Sequence, residues 1–107
     1  MPAQGGECVT VAQVKDVPPG AVKFVEVAGK PVALCNVAGR IFAVGNVCTH
    51  DGGPLSGGTL EDHVLECPRH GAKFDVRDGR VLCLPAPLPI PTYDVTIEGE
   101  AVKVKAA

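Results

Sequence analysis

Two short stretches of the chain carry the donor atoms that metals prefer. Cys48-Thr49-His50 offers a thiolate and an imidazole one residue apart, and Cys67-Pro68-Arg69-His70-Gly71 offers the same pair two residues apart. Sixteen residues separate His50 from Cys67. Both stretches follow an apolar, strand-like run and sit among glycines and prolines. Small residues at such turns leave backbone N–H groups free to point inward, which a negatively charged inorganic sulfide requires.

Two chemistries accept two thiolates and two imidazoles. Zinc binds such a set tetrahedrally, with knuckles that ordinarily run C-x2–4-C and H-x3–5-H so that like ligands share a turn. Here each knuckle mixes one Cys with one His, and the single spacer between Cys48 and His50 makes it awkward for both to reach one ion. Two ions about one bridging sulfide apart suit this pattern better. A [2Fe–2S] cluster with Cys48 and Cys67 on one iron and His50 and His70 on the other has that arrangement. A structural zinc module that binds another protein is the alternative, and it predicts folding that depends on zinc.

The elements that must carry these turns read as β throughout. Aromatic residues are 4% of the 107 residues and Trp is absent, so Val, Leu, Ile and Ala must build the core. Valine's branched side chain favours strands. Thirteen glycines and ten prolines interrupt the chain at short intervals, which favours short strands and tight turns. Strands are expected over Val9–Val11, Val22–Ala28, Pro31–Val37, Ile41–Val47, Val64–Cys67, Lys73–Val76, Val81–Leu84, Tyr93–Glu98 and Ala101–Lys105. Gly29–Lys30, Ala38–Arg40, Asp78–Gly79 and Gly99–Glu100 read as hairpin turns. Val11–Asp16 has room for one helical turn before Val17-Pro18-Pro19-Gly20 stops it. Cys48–Asp62 and Leu84–Pro91 read as loops, the second too rich in proline to join a ladder.

At this point the chain resembles the Rieske iron–sulfur family, on Cys48-Thr49-His50, Cys67-Pro68-Arg69-His70-Gly71 and a proline-rich LPAP at Leu84–Pro87. The resemblance implies an all-β fold of antiparallel sheets, a single Rieske domain over residues 1–107 with a small cluster-binding subdomain at about 46–88. It implies one [2Fe–2S] cluster held by Cys48, His50, Cys67 and His70, with the histidine-bound iron toward solvent. Family members that oxidise quinols carry an extra Cys in each box, a Ser after the His-Gly and a Tyr two residues on. Here those positions hold Gly53, Arg69, Ala72 and Phe74. Without the two hydroxyl donors the resemblance implies a potential near the bottom of the Rieske range, about −150 mV. A chain this short has no room for the non-haem iron domain of the large oxygenase subunits. What remains is a free-standing ferredoxin, and the resemblance implies a cytoplasmic, monomeric one of aromatic hydrocarbon catabolism, passing one electron from a flavin or iron–sulfur reductase to a terminal oxygenase and not itself an enzyme. The small subunit of an NADH-dependent nitrite reductase is the second reading.

The remaining features exclude more than they assign. Ten basic and twelve acidic side chains leave a net charge of −2 with no basic stripe, so nucleic acid is not an expected partner. No apolar run reaches the ~20 residues of a membrane span. MPAQGGECVTVAQV lacks the pattern of a signal peptide. Five cysteines is an odd number, and in a reducing compartment none is expected in a disulfide. Cys35 and Cys83 read as core filler, Cys8 as a free thiol, and His63 as an exposed loop residue. Thr49 and Asp51 read as turn residues, and Arg69, Lys73, Arg77 and Arg80 as solvated charges.

Overall fold

The computed structural model describes residues 8–47, 55, 58–68, 71–83 and 88–105. Among them, strands follow one another with a single 3-10 turn: β1 (Cys8–Gln13), the turn Val14–Asp16, β2 (Val22–Val27), β3 (Lys30–Val37), β4 (Arg40–Gly45), β5 (Thr59–Glu61), β6 (Val64–Glu66), β7 (Lys73–Asp75), β8 (Val81–Cys83), β9 (Thr92–Tyr93), β10 (Val95–Glu98) and β11 (Ala101–Lys105). All the ladders are antiparallel, and they form three sheets: β1-β11-β10, β2-β3-β4-β9 and β5-β6-β7-β8.

The period-2 alternation of β3 and β4 explains why there are three layers. Successive side chains of a strand point to opposite faces. On β3, Val32 and Leu34 face a core shared with Val102 and Val104 of β11. Ala33 and Cys35 face the other way, into a core shared with Leu65, Phe74 and Ile90. All four of these β3 residues are 0% exposed, so the strand is buried on both sides. Ile41 and Ala43 of β4 join the first core and Val44 the second. The middle sheet is therefore the shared wall of two apolar cores, each large Val, Leu or Phe contributing about 1.5–3 kcal/mol through burial. Burial also pushes the Cys35 thiol up to about 12, which keeps it neutral and unreactive, as expected of filler.

The hairpins follow the expected pairs, with small shifts. Val27 pairs with Lys30 and Val37 with Arg40, so each loop has two residues, Ala28–Gly29 and Ala38–Gly39. All four have positive φ, as a type I′ turn requires. The first turn thus lies one residue earlier than Gly29–Lys30.

Two expectations need larger correction. Cys48–Asp62 is not loop throughout, since Thr59–Glu61 forms β5, an edge strand paired with β6. Three residues are too few to show alternation. Tyr93–Glu98 is not one strand. It breaks at Asp94, where the chain passes from the middle sheet, with Tyr93 paired to Ala43, to the outer one, with Val95 paired to Val104. The helical turn is the 3-10 turn at Val14–Asp16, ending where Val17 was expected to stop it. Leu88–Pro91 lies outside the ladders, as its prolines dictate; Leu84–Pro87 lies outside the described residues.

One buried amide ties the long β1–β2 connection to this wall. Asn36 is 3% exposed. Its Nδ2 donates to the Val17 carbonyl at 2.6 Å and its Oδ1 accepts from Gly39 N at 2.7 Å. Asn36→Ala leaves both backbone groups unpaired and is expected to lower unfolding stability by about 1–3 kcal/mol in urea denaturation. Unchanged stability would mean that the connection holds without the amide.

Candidate metal centre

The third sheet has the order in which its strands occur, and that alone brings three connections to one end. Antiparallel neighbours place alternate connections at opposite ends. Thr59, Glu66, Lys73 and Cys83 form one cross-strand row. Beyond this row lie the entry to β5 at Gly58, the β6–β7 turn beginning at Cys67, and the exit from β8. The β5–β6 turn and the β7–β8 turn lie at the other end. The sheet is thus built so that the stretch preceding β5, the stretch following β6 and the proline-rich stretch following β8 share one end.

Cys67 opens the β6–β7 turn. Its N–H donates to the Ala72 carbonyl at 2.7 Å, and its carbonyl accepts from Gly71 N at 3.3 Å. Gly71 has φ +76, a left-handed conformation that a side chain would strain. The Cys67 residue is 1% exposed and belongs to the apolar cluster of Leu55, Leu65, Ala72 and Phe74. Cys48, His50 and His70 lie outside the described residues, as do Thr49, Asp51, Gly53 and Arg69. The base of the first stretch is described. Asn46 is 9% exposed, and its Oδ1 accepts from Leu55 N at 2.8 Å, while its own N–H donates to the Pro31 carbonyl at 3.0 Å. Residues 46 and 55 are thereby tied together, and Gly58 N donates to the Leu55 carbonyl at 2.9 Å.

These surroundings fit a sulfur-bound metal cluster. A closed turn places Cys67 among apolar residues, where a thiolate bound to a metal cation would have its desolvation offset. Ala72 and Phe74, both 0% exposed, add no hydroxyl beside it.

At the other end of the sheet lies a residue that the sequence reading passed over. Asp75 is 0% exposed. Its Oδ1 accepts from the Arg77 backbone N at 2.9 Å and from Arg77 Nε at 3.0 Å. Its Oδ2 accepts from Arg77 Nη2 at 2.8 Å and from Arg80 Nη2 at 3.1 Å. His63 Nε2 lies 3.9 Å from the same oxygen, and His63 Nδ1 is 3.1 Å from Asp62. Arg77 and Arg80 are therefore not simply solvated charges; they satisfy a buried carboxylate. His63 is half-buried in the β5–β6 turn, its carbonyl accepting from Val76 N at 3.0 Å. The signal was present as Asp-x-Arg and a second Arg five residues on, across the Asp78–Gly79 hairpin. Cys8 is exposed, as expected, and nothing is described of the Cys83 side chain.

An all-β scaffold that opens three connections at the sheet end where Cys67 is buried leaves room for a metal site there, and comparison with known proteins gives its kind. The Rieske [2Fe-2S] domain matches residues 7–94 of the chain. The ferredoxin component of the naphthalene 1,2-dioxygenase/salicylate 5-hydroxylase systems of Ralstonia sp is 43% identical over 97 residues, which cover 91% of this chain and 93% of that protein. Among solved structures, the ferredoxin of carbazole 1,9a-dioxygenase from Nocardioides aromaticivorans IC177 superposes with a TM-score of 0.90 at 31% identity, covering 94% of this chain and 98% of the other. A chain from a complex of reduced oxygenase and oxidized ferredoxin in carbazole 1,9a-dioxygenase superposes with a TM-score of 0.87 at 32% identity, covering 92% and 93%. The chain belongs to the Rieske [2Fe–2S] family. It carries one Rieske cluster and works as a ferredoxin, an electron carrier rather than a catalyst.

The Arg77 guanidinium, with the Arg77 and Arg80 hydrogen bonds, holds the Asp75 carboxyl well below the usual carboxylate range. A depressed folded-state pKa contributes stability that is complete above the unfolded value near 3.9 and is lost as pH falls below it. Asp75→Asn is therefore expected to cost about 2–4 kcal/mol at pH 7. The gap to wild type should narrow as pH drops from about 4. Urea denaturation across pH checks this, and a gap that is constant down to pH 2 would contradict it.

Proposed function

We propose that Cys48 and Cys67 hold the inner iron and His50 and His70 the outer iron, within a cluster-binding unit of about residues 46–88. In this reading the chain delivers one electron at a time from a flavin- or iron–sulfur-containing reductase to the terminal oxygenase of an aromatic-ring-hydroxylating system. The observation that carries it is the convergence of three connections at the Cys67 end of one sheet, in a chain that resembles dioxygenase ferredoxins over nearly its whole length. The cluster supplies a one-electron couple, and the residues around it set when and where that couple works. The closed Cys67–Ala72 turn holds one ligand rigidly, so little rearrangement accompanies a change of charge. Leu55, Leu65 and Phe74 keep water from the cysteine side. The histidine side is then the edge through which an electron leaves.

Likeness to ferredoxin components of dioxygenase systems favours an oxygenase partner over the nitrite reductase reading. A monomer that works in the cytoplasm suits a carrier that must meet two partners in turn, and among the described residues no helix is long and apolar enough to cross a membrane. Ala72 and Phe74 stand where hydroxyl donors would favour the reduced cluster, which supports a potential near the low end of the family, about −150 mV.

The purified protein is expected to be red-brown and, once reduced, to give an EPR signal whose average g lies below that of all-cysteine clusters. His70→Cys should lower the potential because a thiolate adds negative charge; a rise would remove His70 from the ligand set. With a reductase and an aromatic-ring oxygenase supplied, omitting the protein should abolish oxygenase turnover, and undiminished turnover would contradict the carrier role.

Phe74→Tyr tests the cause of the low potential. A hydroxyl added at this buried position can donate toward a cluster sulfur and should raise the midpoint in a redox titration. An unchanged midpoint would show that position 74 does not set it.

A further inference from the structure

The proline-rich stretch leaves the ligand end of the third sheet at Cys83, and two glycines grip its far end. Ile90 N donates to the Gly79 carbonyl at 3.0 Å, and Gly45 N donates to the Pro91 carbonyl at 2.8 Å. Neither glycine has room for a side chain. A Cβ on Gly79 would lie 2.1 Å from the Ile90 carbonyl oxygen, and one on Gly45 would lie 2.7 Å from Pro91 Cγ and 3.0 Å from its Cδ. Gly45 ends β4 of the middle sheet, and Gly79 belongs to the β7–β8 turn of the third. Ile90-Pro91 is thus tied to both sheets, with Ile90 3% exposed in the same apolar cluster as Cys67, Ala72 and Phe74 and Pro91 exposed.

The turn that presents Gly79 is itself held by Asp75. Gly79 N donates to the Asp75 carbonyl at 2.7 Å, and Asp75 N donates to the Arg80 carbonyl at 2.9 Å. The buried carboxylate, the turn, Gly79 and Ile90 form an unbroken chain of short contacts from the far end of the sheet to the exit of the proline-rich stretch.

We propose that Gly45 and Gly79 are positioning residues for the cluster. They form a clasp without side chains that holds Ile90 in the apolar cluster it shares with Cys67, and so they keep water from the cysteine side of the metal site. This rests on the reading of Cys67 as a cluster ligand. A Cβ at either glycine displaces Ile90-Pro91 and opens the apolar cluster around Cys67.

The test compares cluster-loaded wild type with Gly45→Ala, Gly79→Ala, Pro91→Ala, both glycine variants combined with Pro91→Ala, and Val104→Ala as a destabilised control in the other core. Midpoint potential, EPR g values and iron release to a chelator are measured. Gly45→Ala is expected to raise the potential, because water favours the more negative reduced cluster, and to speed iron release several-fold. Adding Pro91→Ala removes the crowding Cγ and Cδ and should return Gly45→Ala to the values of Pro91→Ala alone. Gly79→Ala should show the same changes without rescue, since its obstacle is the Ile90 backbone. Val104→Ala should lose stability with its potential unchanged. If Gly45→Ala does not accumulate folded, recovery of folded protein by the added Pro91→Ala supports the clasp and failure to recover overturns it. Wild-type potential and iron release in both glycine variants, or no rescue of Gly45→Ala, also overturns it. A wild-type protein without a Rieske spectrum would instead refute the cluster reading itself.

Discussion

The alternation of ends in an antiparallel sheet is the constraint on which this molecule depends. Four strands paired in chain order must place the entry to the first, the turn between the second and third, and the exit from the fourth at the same end. Strands of only three residues suffice, because their task is to hold three connections in register. Such short strands cannot stand alone. They are held by a core shared with the middle sheet, where Ala33, Cys35 and Val44 meet Leu65, Phe74 and Val76. The middle sheet in turn is rigid because its other face is buried against β11.

Polar groups do the remaining fastening, and each is satisfied. Asn36 anchors the β1–β2 connection and Asn46 closes the base of the stretch leading to β5. Asp75 braces the β7–β8 turn from inside. It lies at the end of the sheet remote from Cys67, where two arginines neutralise the buried carboxylate. The carboxylate is worth retaining despite its desolvation because four hydrogen bonds meet it, two of them to a single arginine side chain.

Much of this was legible in the residues. The alternation in VKFVEV and the apolar run PVALCNV, separated by a glycine turn, show a hairpin of the middle sheet, and the double burial of β3 follows from a run that is apolar on both faces. The mixed Cys/His boxes with a LPAP stretch point to the family on their own, and the described residues of the second box, Cys67, Pro68 and Gly71, belong to a turn closed by the Cys67 N–H on the Ala72 carbonyl. β5 was hidden because three residues carry no period. The break at Asp94 was hidden because each half of YDVTIE is a good strand; only the packing of two layers decides that the halves belong to different sheets. Asp75 was hidden because arginines two and five residues away on a turn look solvated until the carboxylate is seen to be buried. The crowding at Gly45 and Gly79 depends on contacts 46 and 11 residues away in the chain, which no local pattern records.

The resulting picture is a small scaffold whose apolar layers hold three connections together at one end of a sheet. Its central claim is that two imidazoles and two thiolates share a diiron cluster. Pulsed EPR on the reduced protein grown with 15N-labelled histidine tests this most directly. Two strongly coupled histidine nitrogens are predicted; a spectrum with none, or with only one, would contradict the account.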